Sequence, residues 1–300
     1  MLMLSRRTAV LAPLAAAVIP ARAAGGKMSL SLHQNTSLAA GYRKSLEGWS
    51  RAGIKNVEIA DRLLDDFLKT DSLAAARSVV KDLGLTVVSC SAGQPNLWIP
   101  GPARVALLEN WKKRCELFAS FGTERIYCPA SSTRKVTAED YKGAPDCIRE
   151  AGEVAKQNGL TAMIEFSRNS TFISTLTTVL KLTREAAHPN VHPMLDCYHF
   201  WSGLSKMEDL DLIRPGEVAH VHFQDVPDMP RELLDNNTRL IPGDGVSPLV
   251  QILRKLAEKG YAGALSVELF LPEFQQADPY EVARRIREKA EAVMRKARVA

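Results

Sequence analysis

The 300-residue chain is short of most features that would settle its class at a glance. It has no CxxC pair, and its five cysteines (Cys90, Cys115, Cys128, Cys147 and Cys197) are odd in number and far apart. That excludes a zinc knuckle and a thioredoxin-type redox pair and offers no disulfide framework, so buried free thiols are expected. No P-loop, Rossmann glycine fingerprint or nucleophile elbow occurs, and Gly243-Asp244-Gly245 has the wrong spacing for any of them. No apolar run reaches the about 20 residues of a membrane-spanning helix. Charge of one sign is scarce as well. The formal net charge is +5, and Arg6, Arg7 and Arg22 lie in the first 23 residues with no acid among them. The remainder is too nearly neutral to hold nucleic acid. What is present, 46% hydrophobic and 24% charged residues, is ordinary for a globular chain with a substantial core.

Residues 1–23 have the pattern of an export signal: a charged start, an apolar stretch from Thr8 to Ile19, and the small-x-small triplet Ala21-Arg22-Ala23 before Ala24. Ser5-Arg6-Arg7 is twin-arginine-like, although Ala9 stands where an apolar aromatic is usual. The expectation is a bacterial periplasmic or secreted protein that uses the twin-arginine export machinery. No composition break divides residues 24–300, which are read as a single domain.

From Lys27 onward, short β-branched runs alternate with longer stretches of helical period. Strands are expected at 28–33, 55–59, 86–91, 124–128, 160–166, 191–197, 218–225 and 264–270. Helices are expected at 38–52, 103–121, 137–158, 246–259 and from about 278, several of them ending at a glycine (Gly53, Gly84, Gly122, Gly159, Gly263). Eight such units imply an α/β fold, a (β/α)8 TIM barrel. The stretch 226–245, rich in Pro, Asp and Asn, is the longest without a regular pattern, and in a compact domain such a loop is functional or disordered.

Barrel strands should be apolar on both faces, so a charge that alternation turns inward needs a reason. Met163 and Glu165 share a face; so do Met194 and Asp196, His220, His222 and Gln224, and Ser266 and Glu268. Each polar group lies toward the C-terminal end of its strand, where barrel enzymes carry their sites. Taken singly, Glu165 or Glu268 is an ordinary strand-end charge, Asp196 a helix cap and either histidine a packed ring. Together, in order on the last four strands, three carboxylates and an imidazole call for neutralisation, which a divalent cation provides. Such a set suits manganese, magnesium or cobalt better than zinc.

The motifs MIEFS around Glu165, MLDCYH at 194–199, AHVHFQDVP at 219–227, PGDG at 242–245 and LSVELF around Glu268 make the chain resemble the sugar phosphate isomerase/epimerase family, with its xylose isomerase-like TIM barrel. The resemblance implies that Glu165, Asp196, His222 and Glu268 bind one divalent metal, most often manganese, with His220 deeper in the barrel. It also implies epimerisation or isomerisation of a carbohydrate: a C–H beside a carbonyl loses its proton through a metal-stabilised enediolate, with Glu165 and Glu268 as acid and base. His199 matches the position that hydrogen-bonds the substrate carbonyl. Arg231 is the first candidate for a substrate-holding arginine and Arg239 the second, since the family's usual position is Asp228 here. Thr171 stands where ketose epimerases carry a further glutamate, so a simple ketohexose is not the expected substrate. Trp98 and Trp201 are candidates for stacking on a sugar ring, or for packing. Glu58 and His33, at the ends of the first two strands, are candidates for lining the pocket. The family habit is a dimer or tetramer.

A metal-dependent lyase or dehydratase of a keto-sugar or keto-inositol starts from the same proton abstraction, and a non-catalytic sugar-binding protein is the contrasting class. Superfamily endonucleases with three zinc ions need histidines on the earlier strands, and none occurs between His33 and His188.

Overall fold

Eight short runs of β-branched and apolar residues form strands: β1 (Ser29–His33), β2 (Asn56–Ala60), β3 (Thr86–Ser91), β4 (Arg125–Pro129), β5 (Thr161–Glu165), β6 (Val191–Asp196), β7 (His220–His222) and β8 (Ala264–Val267). In this computed structural model, which describes residues 27–300, each strand pairs in parallel with the next and β8 closes on β1. The expected (β/α)8 barrel is therefore the architecture. The export segment expected at residues 1–23 lies outside the described residues. Among those described, no helix is long and apolar enough to cross a membrane.

A closed parallel sheet ringed by helices gives the two faces of each strand different surroundings. Outward residues such as Leu32, Val57, Ile126, Ile164, Leu195, Val221 and Leu265 join the helices in one large apolar layer. Inward, buried polar groups dominate: Ser31, His33, Glu58, Ser89, Glu165, Asp196, His220, His222 and Ser266. Tyr127, Met163 and Met194 form a small separate apolar cluster between them. All five cysteines are buried free thiols.

Most boundaries moved by only a few residues. The helix expected at 38–52 starts at Gly41, after a 3-10 stretch over Gln34–Ala40. Strands seven and eight are shorter than read, because the chain bends out of the ladder at the barrel mouth after His222 and Val267. Gly53, Gly84, Gly122 and Gly159 have the positive φ that ends a helix, but Gly263 does not. The turn before β8 is made by Gly260 (φ 80°), and Gly263 is small because a Cβ there would press on the Tyr261 ring.

The two ends of the 226–245 stretch are clamped together by one side chain. The buried carboxylate of Asp225 accepts N–H bonds from Val226 (2.9 Å), Gly243 (3.0 Å), Gly245 (3.1 Å) and Ser247 (2.9 Å). Its backbone also pairs with Leu240 in an antiparallel bridge. Two 3-10 turns, Arg231–Leu233 and Asn236–Thr238, fill the loop between. Gly245 lies so close to the Val226 carbonyl and the Asp225 carboxylate that a methyl group has no room. Gly245→Ala is expected to destabilise the protein by about 1–3 kcal/mol through overpacking. Thermal unfolding checks this, and an unchanged midpoint would mean that the loop is not clamped at this point.

Candidate metal and active site

The site is assembled by strand ends. Glu165, Asp196 and His222 are the last residues of β5, β6 and β7, and Glu268 directly follows β8. Register sets Asp196 beside His222 on adjacent strands. The four donor atoms lie within 4.8 Å of one another, and no member is more than 4% exposed. His222 Nδ1 is central, at 3.0 Å from Glu165 Oε1 and 3.5 Å from both Asp196 Oδ2 and Glu268 Oε2.

A second cation of the protein's own reaches this cluster. Arg239 Nη1 donates to Asp196 Oδ2 and Glu268 Oε2, each at 2.9 Å, while Nη2 lies 3.1 Å from His199 Nε2. The guanidinium sits 5.0 Å from the centres of both the Tyr198 and Phe270 rings, an arrangement that fixes its plane. Its position follows from the Asp225 clamp, because Leu240, the partner of Asp225, is the next residue. Asp196 also caps the short helix Cys197–Ser202 by accepting the His199 N–H at 2.6 Å. Its helix-cap reading and its place in the cluster are therefore both realised by one side chain.

Burial and neighbouring charge set the proton affinities. Burial pushes the Glu165 carboxyl up to about 7, with Asp196 and Glu268 adding to the rise. Burial acts the same way on Asp196, but Arg239 and the nearby imidazoles outweigh it and hold this carboxyl well below its ordinary range. Glu268 is likewise lowered against its burial, by His33, Arg239 and His222. Burial would lower His222, yet Glu58, Glu165 and Glu268 hold its pKa well above the usual histidine value. Burial lowers His199 to about 4, so that ring is neutral at physiological pH.

Not every expected residue meets the cluster. Arg231 is exposed at the surface, and its backbone carbonyl accepts from Arg168 at 3.1 Å. The arginine in the site is Arg239, the second candidate, because the loop must run on to the Asp225 bridge before it turns inward. Trp98 is corrected to a packing residue: it is 1% exposed, donates to the Cys128 carbonyl at 3.0 Å and stacks edge-on against Trp111. Trp201 is half-buried against Tyr198, Val226 and Leu234. Glu58 and His33 are fully buried, as Asp196 and His222 are, and meet the cluster from the earlier strands. His33 Nδ1 lies 3.5 Å from Glu268 Oε1, and its Nε2 lies 3.1 Å from the Tyr127 hydroxyl. Thr171 donates to the Arg134 carbonyl at 2.6 Å and belongs to a loop contact.

Three further residues support the cluster and its loop. Gln224 donates to Asp196 Oδ2 at 2.5 Å, as its shared face with His220 and His222 allowed. Asn35 donates to Glu268 Oε1 at 3.0 Å. Arg168 binds the carbonyls of Leu234 (2.6 Å) and Arg231 (3.1 Å) and so ties down the 226–245 loop. It lies in a loop with no periodicity to mark it.

Comparison with known proteins fits this geometry. The family model for the xylose isomerase-like TIM barrel matches residues 47–296. An inosose isomerase of Halalkalibacterium halodurans is 29% identical over 173 residues, 57% of this chain and 61% of that protein. A 3-dehydroshikimate dehydratase of Pseudomonas putida is 28% identical over 249 residues, 80% of this chain but only 38% of that protein. The chain thus matches less than two thirds of either relative's length. Among solved structures, an IOLI protein with a bound zinc atom superposes with a TM-score of 0.83 at 22% identity, covering 90% of this chain and 99% of that one. A D-allulose 3-epimerase from Methylomonas sp., in complex with D-allulose, gives 0.72 at 18% identity over 89% and 97%. At those identities the structures speak for the fold.

Three carboxylate oxygens and one imidazole nitrogen at this spacing fit a divalent cation of hard to borderline character. To enter, a cation must displace the protons held on Glu165 and His222. Its affinity is therefore expected to rise with pH through about 7 as Glu165 loses its proton, and to go on rising above that because His222 holds its proton more tightly. Calorimetry in buffers of different ionisation enthalpy would count the protons released. Equal affinity at about pH 5.5 and about pH 8 would show that these groups do not take the cation.

Proposed function

The chain belongs to the xylose isomerase-like TIM barrel family, and from that premise we propose that it is a divalent-metal-dependent isomerase or epimerase of an unphosphorylated keto-sugar or keto-cyclitol, acting after export from the cytoplasm. The observation that carries this reading is the placement of Glu165 and Glu268 on strands three apart, around one cation-binding cluster. A sugar-binding protein has no need of two buried carboxylates of different proton affinity around one cluster.

Glu165, Asp196, His222 and Glu268 would hold the metal, with manganese the preferred ion and magnesium or cobalt next. A cation there supplies Lewis-acid stabilisation of the negative charge that grows on a carbonyl oxygen as the neighbouring C–H loses its proton. The chain's own groups do the rest. One of Glu165 and Glu268 takes the proton from the carbon beside the carbonyl. The other returns a proton, to the opposite face for epimerisation or to the neighbouring carbon for isomerisation. Neutral His199 accepts from Arg239 Nη2 through its Nε2, which helps to hold the guanidinium at the substrate carbonyl region without adding charge. Arg239 keeps Asp196 and Glu268 ionised and in place. Its Nε has no partner among the described residues and is the donor left for a substrate oxygen.

The dehydratase of Pseudomonas putida favours a second reading, in which a β-hydroxyl leaves before the proton returns, because its match runs along 80% of this chain. Keto-inositols and ketoses incubated with enzyme and manganese in deuterated water separate the two. Deuterium gain at constant formula marks an isomerase or epimerase, and loss of water marks a dehydratase. Glu268→Gln is expected to lower deuterium incorporation by at least about 100-fold, with the circular dichroism spectrum and bound-metal content followed in parallel. Unchanged incorporation in a folded Glu268→Gln protein would overturn the two-glutamate mechanism.

A further inference from the structure

Glu58 has no part in the chemistry just described, yet it is a carboxylate buried in the centre of the barrel with 0% exposure. It projects from β2, whereas the two groups it meets belong to β7, on the far side of the sheet. Its Oε2 lies 3.1 Å from His220 Nε2 and 3.1 Å from His222 Nε2. Its Oε1 has no hydrogen-bond partner among the described residues. Burying a carboxylate in this way is costly unless its neighbours depend on it.

We propose that Glu58 is a positioning residue that anchors the ring of His222, so that Nδ1 is presented to the cation cluster. The proposal rests on the metal reading above. A carboxylate oxygen only accepts, so the Nε2 of His222 must carry a proton toward Glu58. The other ring nitrogen then has one direction to face. That direction holds Glu165 at 3.0 Å and Asp196 and Glu268 at 3.5 Å. An imidazole turns readily about its second side-chain torsion, and an acceptor on the distal nitrogen removes that freedom. His220, bonded to the same oxygen, is a strut that keeps Glu58 centred under His222.

Glu58 also lies within 4.8 Å of donor atoms on His33 and His222, a grouping that might be taken for a second ion site. The prior engagements speak against that. Glu58 Oε2 already serves two imidazoles, and His33 meets the Asn35 N–H (3.1 Å) on one nitrogen and the Tyr127 hydroxyl (3.1 Å) on the other.

The test is a titration of the full protein with cobalt(II), followed by its visible absorption, for wild type, Glu58→Gln and Glu58→Leu. Thermal midpoints of the metal-free proteins are recorded in parallel. Glutamine retains an acceptor oxygen and the volume but loses the charge, so about tenfold weaker binding is expected; leucine removes the acceptor, and about 100-fold weaker binding is expected. Glu58→Gln carries the test if Glu58→Leu does not fold. Wild-type affinity in a folded Glu58→Gln protein, with or without a lowered midpoint, would make Glu58 a packing residue and overturn the proposal. Two ions per wild-type chain, one of them lost in Glu58→Gln, would make it a ligand and overturn it equally. No cobalt bound by wild type would instead overturn the metal reading, and the anchoring role with it.

Discussion

Glu165, Asp196 and Glu268 are carboxylates that cannot share a water-poor space as bare anions. Each has lost most of its hydration, and each raises the energy of ionising the next. The surrounding structure answers this problem. His222 stands among all three, Arg239 bridges two of them, Gln224 and the His199 N–H donate to Asp196, and Asn35 donates to Glu268. Even so the balance is incomplete, and Glu165 shows it by keeping its proton up to about 7. A divalent cation is what the proposed function would add to complete that balance.

The same constraint explains parts of the molecule that look remote from it. Arg239 comes from an irregular stretch, where a side chain would normally be free to wander. The Asp225 carboxylate gathers four backbone N–H groups of that stretch, and Arg168 holds two of its carbonyls. The loop is thereby as firmly tied as a strand end. Below the cluster, Glu58 connects β2 to β7 through two histidines, so the barrel interior is cross-braced by polar contacts where an apolar plug would be usual. The outer face follows the opposite rule, with an unbroken apolar layer against the helices.

Much of this was legible beforehand because a barrel strand has a fixed alternation. Once the eight strands were recognised, Glu165, Asp196, His222 and Glu268 had to face inward at the mouth, and they do. His199 was named only through the family resemblance, and the short helix after Asp196 brings it to the cluster. Loops have no such period. Arg231 and Arg239 were therefore ranked by spacing alone, and the ranking was reversed by the bridge that turns the chain inward beside Leu240. Trp98 likewise looked like a mouth residue, because its loop follows a strand end. Its ring instead found a carbonyl and a second tryptophan in the packed layer.

From the order of residues alone came the eight-stranded barrel, the mouth at which its polar residues gather, and the chemical character of that gathering. These follow from periodicity and from the cost of burying charge, both of which act locally along the chain. Folding decided which distant groups complete the cluster. Glu58 lies 164 positions from His222, and Asn35 lies 233 from Glu268. Contacts of that reach depend on how the sheet closes and how one loop is clamped, and no local pattern encodes either.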